Sequence, residues 1–177
     1  MAIQIGAKPD SGFDDPIGML MDCHRRIENF LHVLCLVAES ARSRALSGEE
    51  TTAVESALHY FRTGGQRHNA DEEESLFPRL RAELTMCSFE EIAGLEGDHQ
   101  TANDLHGQID RLFTEWIANG GLSAEDSQQL LDATNRLKNL YDAHIQIEEK
   151  IVFPRAAEVL DPQAIAAIGR EFRARRC

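Results

Sequence analysis

One pattern constrains this chain more than any other, and it occurs twice. His68-Asn69-Ala70-Asp71-Glu72-Glu73-Glu74-Ser75-Leu76-Phe77-Pro78-Arg79 returns as His144-Ile145-Gln146-Ile147-Glu148-Glu149-Lys150-Ile151-Val152-Phe153-Pro154-Arg155. His, Glu, Glu, Phe, Pro and Arg keep their offsets. On an α-helix four residues make one turn plus roughly 40°, so His68 and Glu72 project from one face. His144 and Glu148 do the same. A neutral imidazole and a carboxylate turned inward together are transition-metal ligands. The proline of each copy predicts that the helix stops at Phe77 and again at Phe153.

Four apolar stripes at helical spacing carry these residues. Asp15-Pro16 reads as an N-cap with proline at the first helical position. It opens a stripe of Ile17, Leu20, Met21, His24, Ile27, Leu31, Leu34, Cys35 and Ala38. Ser47-Gly48-Glu49-Glu50 reads as a capping box before Val54, Leu58, Phe61, Gly65, His68 and Glu72. Ser88-Phe89-Glu90-Glu91 is a second such box, before Ile92, Leu95, His99, Ala102, His106, Ile109, Phe113 and Trp116, and Asn119-Gly120-Gly121 stops that helix. Ser123 caps the fourth, with Leu130, Thr134, Leu137, Tyr141, His144, Glu148 and Ile151. Asp161-Pro162 starts a short closing helix. The expectation is an all-α fold: an up-down-up-down four-helix bundle over residues 15–177 with a short C-terminal helix. Residues 1–14, without periodicity, read as a flexible arm. Gly64-Gly65 inside the second helix fits either a kink or a close backbone approach.

The charge balance, 18 basic against 30 acidic residues and −12 net, argues against nucleic acid or an anionic membrane as a partner. No apolar run reaches the ~20 residues of a membrane span. Cys23, Cys35, Cys87 and Cys177 show no paired spacing and read as reduced cysteines of a cytoplasmic protein. The Arg173-Ala174-Arg175-Arg176 end reads as a solvated helix terminus.

The chain also halves. His24 to His99 is 75 residues and His68 to His144 is 76, so each half supplies a lone His on its first helix and His-x-x-x-Glu on its second. A lone histidine on an apolar stripe is usually a core residue. Here His24, His68, His99 and His144 occupy four different stripes, and Glu72 and Glu148 share two of them. Buried carboxylates are costly unless paired or metal-bound. Four nitrogens and two carboxylates exceed one tetrahedral zinc site and suit two ions bridged by both carboxylates. Mixed N/O ligation without thiolate fits iron best, with manganese and zinc as alternatives.

With these residues in place, the chain resembles the hemerythrin-like proteins of the HHE cation-binding family. It carries paired H-x-x-x-E-E…F-P segments at 68–78 and 144–154, with the lone helix histidines at 24 and 99, over about residues 15 to 160. The resemblance implies a non-haem di-iron centre, oxo- or hydroxo-bridged, with His24, His68, His99 and His144 as terminal ligands and Glu72 and Glu148 as bridges. Oxygen-carrying members have a further His one turn after the third-helix His; here that position is Asn103. Four His with two Glu is similar to members that sense iron or oxygen and to iron–sulfur cluster repair proteins, whose Cys-Cys N-terminal module is not seen in this sequence.

The resemblance implies binding or sensing of O2, or of NO or redox state, with a protein partner for output. The alternative is a redox enzyme that consumes peroxide, or an iron donor in cluster repair. A metal-free interaction module is the third reading. Around the centre, Glu28 reads as an ion-pair residue, His106 as a core or pocket histidine and Tyr141 as a core tyrosine with a satisfied hydroxyl. Glu73, Glu74 and Glu149 point off the stripes and read as solvated or outer-sphere groups. Acceptors for the histidine N–H groups are expected without being identifiable.

Overall fold

The computed structural model describes residues 10–40, 44–83 and 89–177. The Ser88 box, Cys87 and residues 1–9 of the expected arm lie outside the described residues. Among the described residues the fold is all-α, with helices α1 (Pro16–Ser40), α2 (Gly48–Tyr60), α3 (Gln66–Asp71), α4 (Phe77–Glu83), α5 (Phe89–Asn119), α6 (Ala124–Ile147), α7 (Phe153–Val159) and α8 (Pro162–Ala174). None of them is long and apolar enough to cross a membrane.

The starts are set by the expected caps. The Asp15 side chain accepts from the Gly18 N–H at 3.0 Å. Ser47 and Glu50 form the full reciprocal box, and Ser123 and Asp161 each accept from the backbone N–H three residues on. Each such cap is worth about 1 kcal/mol. α5 ends at Gly120, whose φ of 72° is open to glycine at little cost. Residues 10–14, expected to be loose, are tied down: the Ser11 N–H donates to Asp22 at 2.6 Å, and the Arg173 guanidinium covers the Phe13 ring.

Both prolines were expected to stop a helix, and neither does. α2, α3 and α4 run on from Gly48 to Glu83 through wide turns at Phe61–Gly65 and Glu72–Leu76. α6 likewise continues into α7 through Glu148–Val152. In the turns before the prolines, the Phe77 and Phe153 N–H groups reach the carbonyls of Glu72 and Glu148, five residues back. A five-residue step widens the turn, which relieves the clash a proline ring makes with the carbonyl four residues back in a regular helix. The same step moves the inward direction along the chain. Ile151, placed on the stripe by regular helical counting, is exposed, while Val152 and Phe153 are buried. Met21, also assigned to a stripe, lies at the solvent edge of α1.

α1 packs against α2 and α6, and α5 packs against α6 and α2, so four rods enclose one interior. That interior holds two apolar compartments. One contains Ile27, Leu34, Val54, Phe61, Ile109, Phe113, Trp116 and Leu137. There Phe113 stacks on Trp116, whose indole N–H donates to the Arg44 carbonyl at 2.8 Å and pins the approach to α2. The other contains Leu20, Leu76, Phe77, Leu95, Phe153, Ile168 and Phe172, and brings α8 against the rods. Each fully buried side chain of this kind contributes roughly 1.5–3 kcal/mol. Between the compartments lies a polar layer.

Candidate metal centre

The layer is made of the six residues singled out by the repeat. α1 supplies His24, α3 supplies His68, and Glu72 opens the wide turn after it. α5 supplies His99, α6 supplies His144, and Glu148 opens the second wide turn. All six are at most 2% exposed. They fall into two groups, His24 with His68 and His99 with His144, and both carboxylates belong to each group. Within a group the candidate ligand atoms lie within 4.8 Å of one another.

Each carboxylate offers one oxygen to each group. Glu72 Oε1 faces His68 Nε2 and its Oε2 faces His99 Nε2, both at 3.4 Å. Glu148 Oε2 faces His24 Nε2 at 3.0 Å and its Oε1 faces His144 Nε2 at 3.2 Å. These approaches are close, yet none has hydrogen-bond geometry: both oxygens of Glu72 and Glu148 and the Nε2 atoms of His24, His99 and His144 are buried without a partner. With His68 Nδ1, they make up eight of the nine such side-chain atoms among the described residues. A buried polar atom left unpaired costs about 1–3 kcal/mol, and more when charged. Seven lone pairs converging on two points, where the described residues outside the layer leave only Ser127 Oγ unpaired, fit a pair of cations.

An outer ring of carboxylates orients the imidazoles. His24 Nδ1 lies 2.9 Å from Glu149, His99 Nδ1 2.7 Å from Glu73, and His144 Nδ1 3.3 Å from Asp98. A proton held on Nδ1 by each acceptor leaves the Nε2 lone pair turned inward. Glu149 is itself held by Arg25. Glu73 and Glu149 are therefore partners of the centre, and the doubled Glu of each repeat was the signal. Asp98 was missed. Its counterpart 75 positions earlier is Cys23, and His68 is the one imidazole of the four whose Nδ1 has no partner. The phenylalanines of the two Phe-Pro pairs finish the walls: Phe153 stacks on His24 at 5.4 Å and Phe77 on His99 at 6.4 Å.

Electrostatics separates the two carboxylates. Burial, then the neighbouring charge of Glu148, pushes the Glu72 carboxyl well above its ordinary range. Burial pushes Glu148 the same way, but the His144 and His24 imidazoles outweigh it and hold Glu148 low. Burial holds His68 well below the ordinary imidazole value and lowers His99. Burial also opposes charge on His144, yet Glu148 and Asp98 together raise it.

The remaining candidates sort out by position. Glu28 is exposed and pairs with Arg25. Asn103 faces outward; its side chain accepts from Gln66 at 3.0 Å, so no fifth protein nitrogen enters from that turn. Asn103 lines a cleft of 360 Å³ with Phe61, Gln66 and His106. Behind the cleft His106 Nε2 lies 3.0 Å from the Tyr141 hydroxyl, and the Tyr141 ring meets His144 edge-on. Gly64 marks a close approach as well as a wide turn: a Cβ there would stand 2.6 Å from the Tyr60 ring. Arg175 and Arg176, read as solvated, reach back to the buried Asp71.

The family model described as the hemerythrin HHE cation binding domain matches residues 15–156, a span that contains all six residues of the layer. No curated protein matches the chain.

Proposed function

This chain belongs to the hemerythrin HHE cation-binding family, and we propose that its polar layer holds two iron ions that bind O2 or another small diatomic or peroxide ligand. In this reading His24, His68, His99 and His144 are terminal ligands, Glu72 and Glu148 are bridges, and the four rods run up-down-up-down around the pair. The observation that carries it is the split of each carboxylate, one oxygen to each histidine pair. A single ion would leave half of those oxygens idle. The eight unpaired buried atoms count against a metal-free interaction module.

Iron bound here supplies one-electron redox steps and coordination positions that the six side chains do not fill. The protein does the rest. Glu149, Glu73 and Asp98 hold three imidazoles in the tautomer that ligates. Phe77, Phe153 and the two apolar compartments keep bulk water from the layer. Asn103 leaves the α5 side without a further nitrogen, so a small ligand meets no protein competitor there. Transmission of the bound state to a cytoplasmic protein partner completes a sensing role.

A peroxide-consuming enzyme or an iron donor is the second reading. The Tyr141 hydroxyl, held on His106 beside His144, favours it by placing a proton-bearing group next to the layer.

The test is metal analysis with absorption spectra of the anaerobically reduced and re-oxidised protein, with and without azide. Two irons per chain and an azide-sensitive near-ultraviolet and visible spectrum are expected. A chain that retains no metal overturns the reading. Catalytic oxygen release from peroxide, rather than stoichiometric binding, selects the second reading.

A further inference from the structure

Glu72 and Glu148 occupy matching positions, yet their surroundings differ in a way that the repeat does not foreshadow. Asp71, next to Glu72, is fully buried. Its Oδ1 accepts from Arg175 Nη1 at 2.9 Å and its Oδ2 from Arg176 Nη2 at 2.6 Å. Arg175 also donates through Nη2 to Ser75 Oγ at 2.8 Å and through Nε to Glu74 at 3.1 Å. One guanidinium thus spans the wide turn that begins with Glu72, gripping the residue before it and two within it. Arg79 adds a second tie, donating to the Ser75 carbonyl at 2.8 Å and to Glu171 of α8 at 2.6 Å.

The turn that begins with Glu148 has a single such tie, Arg25 of α1 on Glu149, and no guanidinium that spans it. The counterpart of Asp71 is Ile147, and the counterpart of Arg79 is Arg155, which pairs with the exposed Glu158. The base of the grip is firm. Ile168 and Phe172 are buried, and Gly169 lets α8 press against the Phe13 carbonyl, where a Cβ would stand 1.9 Å from the oxygen. Both arginines lie outside the span that the family model matches.

We infer that Arg175, with Arg176, is a positioning residue for Glu72, so that α8 sets how firmly one of the two ions is held. The inference rests on the reading of Glu72 as a metal ligand. The ion between His24 and His68 takes Glu72 from the gripped stretch and His68 from α3, whose last residue, Asp71, is gripped. The ion between His99 and His144 takes only Glu72 from it. Loosening the grip therefore weakens the first ion more than the second. A regular helix tolerates loss of a surface arginine, but a wide turn has given up regular four-residue hydrogen bonds and depends more on side-chain ties to keep its shape.

The experiment loads the full chain with ferrous iron anaerobically and follows transfer to a ferrous chelator in wild type, Arg175→Gln, Arg175→Lys and Arg155→Gln. In parallel, the melting temperature of each metal-free protein is measured. Arg175→Gln should release one of its two ions about tenfold faster than wild type, the size of one lost charge-assisted hydrogen bond, and the other little changed. Arg175→Lys, which keeps the charge without the fork, should fall between them. Arg155→Gln should match wild type. If Arg175→Gln does not fold, Ser75→Ala removes one arm of the grip and should show the same two-phase release at about threefold. Wild-type release of both ions from Arg175→Gln, or from Ser75→Ala where that variant stands in, overturns the inference. So does equal acceleration of both ions in step with a lower metal-free melting temperature. A wild-type chain that takes up no iron overturns the reading of the centre instead.

Discussion

Replacing Glu72 by leucine should make the metal-free protein more stable and the metal-loaded protein less so. In the metal-free layer Glu72 is fully buried, neither oxygen has a hydrogen-bond partner, and its neighbours include a second carboxylate. Burial, then Glu148, raises its pKa in the folded state well above the ordinary carboxyl value of 4.5. A carboxyl raised in this way binds more proton folded than unfolded. Its contribution is therefore intact below about pH 4.5 and is lost as pH rises toward the folded value. The gain from removing it should be small in acid and grow toward neutral pH. Exchanging buried charged groups for apolar side chains of similar volume stabilises by about 1–4 kcal/mol. At about 2 kcal/mol, a chain of this size should melt roughly 4–8 °C higher. The loaded protein gains about 2.7 kcal/mol from an ion at 100 times its dissociation constant, most of which the leucine variant forgoes. Scanning calorimetry with and without metal at pH 5 and pH 7.5 should thus show the order of melting invert on loading. Glu72→Gln, neutral but still polar, should gain less. A metal-free Glu72→Leu protein that melts below metal-free wild type at neutral pH would refute the reasoning.

Other consequences are open to the same kind of check. Metal uptake should release protons, because the ions displace the one that Glu72 retains; affinity should rise with pH, and titration heats should vary with the ionisation enthalpy of the buffer. Heats independent of buffer would contradict the assignment of Glu72. Burial holds His106 down at about 4, partly offset by Asp110. An imidazole lowered in this way costs stability as pH falls below its unfolded value, so His106→Gln should reduce the acid loss at pH 5 by about 1–2 kcal/mol in urea titrations. Equal losses in both proteins would count against it. Gly64→Ala should cost about 1–2 kcal/mol despite the better helix propensity of alanine, since the Tyr60 ring it meets is stacked on Phe30 and cannot swing away freely. A stabilised variant would show that the ring yields.

The six-residue layer was legible because regular helical spacing carried it. His68 and His144 each stand one helical turn before a wide turn that Glu72 or Glu148 opens, so four-residue counting still held within each pair. Past those turns it failed, which is why Ile151 faces water and why Pro78 and Pro154 sit inside continuous helical rods. The outer carboxylates were legible only in part. Glu73 and Glu149 reach across to histidines on other helices, and a helical wheel shows them merely as pointing sideways. Asp98 sits beside His99 in sequence but serves His144, a pairing set by how α5 lies against α6. Arg175 and Arg176 obeyed a sound local rule, cations at a helix end, yet the compact packing of α8 brings that end to Asp71. Asn103 was read as standing where oxygen-carrying members have a further histidine; that it turns outward to Gln66 depends on α3 and α5 together.

The polar layer between the two apolar compartments acts as a seam. Side chains above it do not knit with those below it, and without ions the join is poor in favourable contacts. Ions bound there would tie the upper and lower compartments together, adding to the helices that run through both, much as a bolt joins two plates. Losing them would cost more than the ligand contacts themselves, because it would slacken the join between the compartments and free Phe77 and Phe153 to part from the imidazoles they cover.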